Sequence, residues 1–137
     1  MPPPPSPTVF VIDDDAAVRK AVSRLLRSAG IAVAGFASPG EFLAQYDPDM
    51  PGCLVLDLAM PEMNGLQAAR AISRSSPEVP LLLLTVQQVS KELTSEAVSA
   101  GFKGAVSKST GSEVVKAIEV LLKHQSFFQP IRSDVVA

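Results

Sequence analysis

The sequence predicts a doubly wound α/β domain, a five-stranded parallel sheet with helices on both faces. Three observations predict it. Short apolar runs alternate five times with segments of helical periodicity. The runs at residues 53–56 and 81–84 are apolar at every position, as expected of strands buried on both faces. Polar residues able to do chemistry directly follow four of the runs, at the strand ends where open α/β sheets gather their ligands.

Taken in order, Met1 to Pro7 contain five prolines and are expected to form an extended, solvated arm. Thr8 to Ile12 is the first strand, running straight into Asp13, Asp14 and Asp15. Val18, Val22, Leu25, Leu26 and Ala29 then share one helix face, with Arg19, Lys20, Arg24 and Arg27 on the other. Gly30 ends that helix, and Ile31 to Phe36 is the second strand. Ser38-Pro39-Gly40-Glu41 has the form of a capping box with proline at the first helical position, opening a helix to about Tyr46. Residues 47–52 are turn material before the third strand, which ends in Asp57. After Asn64-Gly65, Leu66, Ala69 and Ile72 mark a third helix, stopped at Ser75-Ser76-Pro77.

Val79 to Thr85 is the fourth strand, ending in a hydroxyl. The fourth helix, Lys91 to Ala100, has an apolar stripe of little more than Leu93, Ala97 and Val98. Gly101 to Ser107 contains the last strand, and Lys108 comes directly after it. Thr110-Gly111-Ser112-Glu113 offers a second capping box, and Val114, Ile118, Leu121 and Leu122 make the fifth helix amphipathic. From Ser126 the pattern is lost. The expected organisation is an arm over 1–7, one domain over 8–125, and a tail or the start of a linker over 126–137.

Composition narrows the function classes. A chain of 137 residues is one domain with a proper core. With 47% hydrophobic and only 5% aromatic residues, that core is aliphatic. A net charge of −2 gives no electrostatic ground for nucleic-acid binding by these residues themselves. The single Cys53 excludes an internal disulfide and, inside an apolar run, reads as a buried inert thiol. No apolar run approaches the ~18 residues of a membrane span. Prolines stand where a signal peptide would need a basic region and an apolar core. A soluble cytoplasmic protein is the expectation.

Asp13 and Asp14, Asp57, Thr85 and Lys108 are the groups that a doubly wound sheet would gather on one edge. Three clustered carboxylates repel one another unless a cation intervenes, and hard oxygen ligands of this kind suit Mg²⁺. A carboxylate, a hydroxyl, an ammonium and a divalent ion around one point make a site for a phosphoryl group, with an aspartate as nucleophile.

In this order and at these separations, the residues resemble the receiver domain of two-component response regulators, over about Thr8 to Lys123. The resemblance is carried by Val11-Ile12-Asp13-Asp14-Asp15 with Arg19 downstream, and by Leu56-Asp57-Leu58 followed by Met60-Pro61 and Asn64-Gly65. Thr85 ending its strand and Lys108 after the last complete it. It implies a flavodoxin-like fold and Asp57 as phosphoacceptor, taking the group from a histidine kinase. Asp14 and Asp57, with the backbone carbonyl of Ala59, would hold Mg²⁺, and Asp13 would act on the metal mainly through a bound water. Thr85 would be the switch hydroxyl and Lys108 the phosphate partner. Such a domain is no enzyme toward a separate substrate; it catalyses only its own phosphorylation and dephosphorylation. The partners implied are the kinase and a second copy of the chain on phosphorylation, with no membrane. Ala100 to Ser109 and Phe127-Phe128 look like the subfamily with a LuxR-type helix-turn-helix output domain. Transcription regulation is then implied, with DNA contacted only through an output domain outside this chain.

The chain departs from the pattern at Ser109, where proline is usual, at Val86, where a small residue is usual, and at Ala105, where an aromatic is usual. Ala105 has no side chain to swing toward Thr85, so any switch movement is expected to be carried by other groups. Plainer readings stand beside these. Asp57 alone would cap a turn, Asp15 is expected to cap the first helix, Thr85 alone is a strand-end hydroxyl, and Lys108 alone is a solvated lysine. His124 reads as a favourable charge at a helix C-terminus, and Met60 and Met63 as loop anchors. Among competing functions, a phosphatase of the haloacid-dehalogenase kind needs a second acid two residues after its nucleophile, where this chain has Ala59. A flavodoxin needs a hydroxyl- and glycine-rich phosphate loop in place of Asp13-Asp14-Asp15. A pseudo-receiver, binding partners without phosphoryl chemistry, is the alternative that the acidic residues argue against.

Overall fold

The computed structural model describes residues 8–46, 52–57, 65–75, 79–85, 89–107, 111–123 and 125–128. Along them the chain runs β1 (Thr8–Ile12), α1 (Ala16–Ser28), β2 (Ala32–Phe36), α2 (Pro39–Gln45), β3 (Gly52–Asp57) and α3 (Gly65–Ser75). It continues with β4 (Leu81–Thr85), α4 (Lys91–Ala100), β5 (Gly104–Ser107), α5 (Gly111–Leu122) and β6 (Phe127–Phe128). The strands form one parallel sheet in the order β2-β1-β3-β4-β5-β6.

Strand alternation sorts the core into two layers. Phe10, Ile12, Leu54, Leu56, Leu81, Leu83 and Ala105 face α2, α3 and α4, meeting Phe42, Ile72, Leu93 and Ala97. Val9, Val11, Cys53, Val55, Leu82, Leu84 and Val106 face the other way, onto Leu26 of α1 and Val114, Ile118 and Leu121 of α5. Every side chain from Cys53 to Asp57 and from Leu81 to Thr85 is buried, which is why those runs carry no polar alternation. Burial pushes the Cys53 thiol up to about 12, so it stays protonated and unreactive.

The helix ends follow from side-chain capping. The Asp15 carboxylate accepts from the backbone N–H groups of Ala17 (2.9 Å) and Val18 (3.4 Å), starting α1. Gly30, at φ 80°, ends it: the Gly30 N–H donates to Arg27 O and the Ile31 N–H to Leu26 O. Ser38 Oγ accepts from the Glu41 N–H at 3.2 Å, while the Glu41 carboxylate accepts from the Ala37 N–H at 2.8 Å. The weakly patterned α4 is held at both ends, by Ser90 Oγ on the Leu93 N–H and by Gly101 at φ 102°. Its buried residues are Leu93, Ala97 and Ala100; Val98, expected in the stripe, is 55% exposed. Val98 lies one position past Ala97, about 100° around the helix and off the face that Leu93 and Ala97 share.

One correction concerns the number of strands. Among the described residues the sheet has six, because Phe127 and Phe128, expected in a tail beginning at 126, pair in parallel with Gly104 and Ala105. A two-residue strand is too short to produce the alternation by which strands are read from sequence. Among the described residues, no helix is long and apolar enough to cross a membrane.

Candidate functional site

The order of the strands decides which acidic residues meet. β1 lies beside β3, with Ile12 opposite Leu56, so Asp13 and Asp57 leave the sheet as neighbours. Both are largely buried, at 3% and 8% exposure, while Asp14 is exposed. One carboxylate oxygen from each of Asp13, Asp14 and Asp57 lies within 4.8 Å of the others. At that separation two buried charges repel by about 3 kcal/mol with an effective dielectric of ~20. The group therefore asks for a cation, and a set of hard oxygens with one open, exposed side fits Mg²⁺, which binds through few carboxylates and keeps water in its remaining positions.

Local backbone contacts hold the Asp13 side of this pocket. The Asp13 N–H donates to Phe36 O at 3.2 Å, joining the end of β1 to the end of β2. Asp13 Oδ1 accepts from the Asp15 N–H at 2.9 Å, which folds the acidic turn back on itself. From the first turns of α1, Arg19 Nη1 donates to the Asp13 carbonyl at 2.6 Å. This last contact explains why an arginine sits six residues beyond Asp13: it ties helix to pocket through the backbone and leaves the carboxylate facing the site.

Thr85 is 1% exposed at the end of β4. Its predecessor Leu84 pairs with Asp57, and Thr85 itself pairs with Ser107 at the end of β5. The structure thus brings Asp13, Asp14, Asp57 and Thr85 to one edge of the sheet. Lys108, Ala59 and Val86 lie outside the described residues, as do Met60, Met63, Ser109 and His124. Ser107, 6% exposed and in register with Thr85, is a site-edge residue that sequence reasoning misses; its signal would have been a second buried hydroxyl ending an apolar strand, next to Lys108.

A family model described as the response regulator receiver domain matches residues 9–119. The chain belongs to that family. Among curated relatives, the C4-dicarboxylate transport transcriptional regulatory protein DctD of Rhizobium meliloti (strain 1021) is 42% identical over 80 residues, 58% of this chain and 17% of DctD. The response regulator UvrY of Escherichia coli (strain K12) is 34% identical over 130 residues, 93% of this chain and 58% of UvrY. Among solved structures, a LuxR-family two-component response regulator from Aurantimonas sp. SI85-9A1 superposes with a TM-score of 0.79 at 28% identity, covering 92% of this chain and 91% of that one. The matched stretches therefore span only part of the length of these curated relatives, 17% of DctD and 58% of UvrY. Its parallel sheet with helices on both faces is the receiver fold that the sequence predicts.

Proposed function

We propose that this receiver domain takes a phosphoryl group onto Asp57 from a histidine kinase and signals through the resulting change of state. The single observation that carries the reading is the convergence of the Asp13, Asp14 and Asp57 carboxylates within 4.8 Å, beside the buried hydroxyl of Thr85. An Asp57 oxygen attacks phosphorus, the P–N bond to the donor imidazole breaks with its electron pair going to nitrogen, and an acyl phosphate remains. Asp13, Asp14 and Asp57, with the Ala59 carbonyl, are the groups that would hold Mg²⁺. When bound, the ion neutralises charge on the transferring group. Thr85 donates its hydroxyl to a phosphoryl oxygen and Lys108 supplies a positive charge. Asp13, fixed through its backbone by Phe36 and Arg19, keeps the pocket in shape before the donor arrives.

The domain acts on itself alone, catalysing its own phosphorylation and dephosphorylation. Its setting is the cytoplasm, where the kinase presents its phosphohistidine, and phosphorylation promotes self-association. DctD is by name a transcriptional regulatory protein, and the Aurantimonas structure is of the LuxR family. Both support an output in transcription, with DNA contacted by a domain beyond these residues. The receiver unit takes in residues 8–125 together with β6, which completes the edge of its sheet.

The test is phosphorylation by acetyl phosphate with Mg²⁺, followed by intact mass spectrometry. Wild type gains one phosphoryl group that survives acid and is lost in base; Asp57→Asn and a chelated sample gain none. An unchanged wild-type mass, where a control receiver is labelled, makes the domain a pseudo-receiver.

A further inference from the structure

The chain leaving α5 does not simply depart. After Gln125, whose N–H donates to Val120 O, the Phe127 N–H donates to Lys103 O at 2.9 Å and β6 zips onto β5. Gly104 makes this approach possible. A Cβ there would lie 2.4 Å from the Phe127 carbonyl oxygen, 2.9 Å from Leu82 Cδ1 and 3.1 Å from Leu121 Cδ1. Successive side chains of a strand point to opposite faces, so two residues suffice to grip the sheet edge from both sides. Phe127 packs into the α1/α5 layer, with Lys116 Nζ 5.9 Å from its ring centroid. Phe128 packs into the α2/α3/α4 layer.

The row on which Phe128 sits lies one step from the strand ends that carry the acidic pocket. Phe128 is in register with Ala105, and Ala105 with Leu83, so the three stand in one row across β6, β5 and β4. The next row toward the strand ends, about 7 Å on, is Thr85 and Ser107. Ala105 is fully buried and contributes only a methyl group. Val89, just before α4, and Leu93, in its first turn, belong to the same cluster. A ring over this row contacts a surface that keeps its shape only while β4, β5 and α4 keep their present arrangement.

We propose that Phe127–Phe128 is a clasp that reads the state of the site: the Phe128 ring over the Ala105 row stabilises the unphosphorylated arrangement, and phosphorylation at Asp57 releases β6 from β5. The inference rests on the phosphoryl reading above. Two half-buried residues in an edge strand open at little cost, so a modest rearrangement at the strand ends is enough to free them. Release passes the freed segment to the chain beyond it. Because coupling between two sites is reciprocal, removing the ring must change how the pocket binds a phosphoryl group. Taking away a contact that favours the unphosphorylated arrangement makes that binding tighter.

The experiment uses the full chain with Mg²⁺ and beryllofluoride, which stands in for the phosphoryl group on Asp57. In wild type, the Phe127 amide is expected to be protected from hydrogen exchange without beryllofluoride and to exchange at least tenfold faster with it. Phe128→Ala is expected to lose that protection at the outset and to bind beryllofluoride at least threefold more tightly, followed by the Asp57 NMR signal. Phe128→Leu, which keeps an apolar side chain, lies between the two and serves if the alanine variant does not fold. Asp57 signals that shift while Phe127 protection and the affinity of the variants stay at wild-type values overturn the clasp alone. Asp57 signals that do not shift overturn the phosphoryl reading, and the coupling with it.

Discussion

The underside of α4 carries a defect whose repair should be measurable. Among the described residues, Thr94 Oγ1 is buried and has no hydrogen-bond partner, although the Thr94 N–H makes its helical bond to Ser90 O. A buried hydroxyl without a partner costs about 1–3 kcal/mol in lost hydration. Thr94→Val replaces it with a methyl group of the same shape, at nearly equal helix propensity. Thr94 is only half-buried as a residue, so the lower end of that range applies, a gain of about 1 kcal/mol. For a domain of this length that corresponds to a rise in Tm of roughly 3–5 °C. Urea denaturation should move to a higher midpoint with unchanged slope, and the amides of α4 should exchange more slowly. A midpoint at or below wild type would mean that the hydroxyl has a partner in solution and that α4 is not destabilised from below.

Three further outcomes rest on packing and capping. Asp15→Ala removes a carboxylate that accepts from two helix N–H groups and should cost about 1 kcal/mol in urea denaturation. Gly101→Ala places a methyl group at φ 102°, with its carbon 2.5 Å from Ser73 Oγ, and should cost at least about 1–2 kcal/mol; wild-type stability would show that the turn after α4 is not as described. Cys53, fully buried with its thiol pushed up to about 12, should resist a disulfide reagent at pH 8 in native protein and react at once in denaturant.

The features legible in the sequence have local causes. β3 and β4 are buried on both faces, so each reads as an unbroken apolar run, and Asp57 and Thr85 are conspicuous as the first polar groups after them. Asp15, Ser38 and Gly30 announce helix ends because capping depends on one residue and its near neighbours. The features not legible there depend on elements distant in the chain. That Asp13 stands beside Asp57 follows from β1 lying next to β3, and no periodicity encodes strand order. Ser107 becomes notable only through its pairing with Thr85. β6 exists because Gly104, some twenty residues earlier, lets another backbone approach, and two phenylalanines carry no pattern of their own. The thinness of the α4 stripe is visible in the sequence, but the exposure of Val98 is not, because a ten-residue helix with three apolar candidates leaves its inner face ambiguous.

The central claim is that Asp57, and neither of the two aspartates beside it, carries the phosphoryl group. Borohydride reduces an acyl phosphate to an alcohol and leaves free carboxylates alone, so it converts the modified aspartate to homoserine in place. Receiver domain treated with acetyl phosphate and Mg²⁺, reduced and then digested, should show homoserine at position 57 and unmodified aspartate at 13 and 14. Homoserine at Asp13 or Asp14, or at none of the three in protein whose mass had risen by one phosphoryl group, would contradict the account.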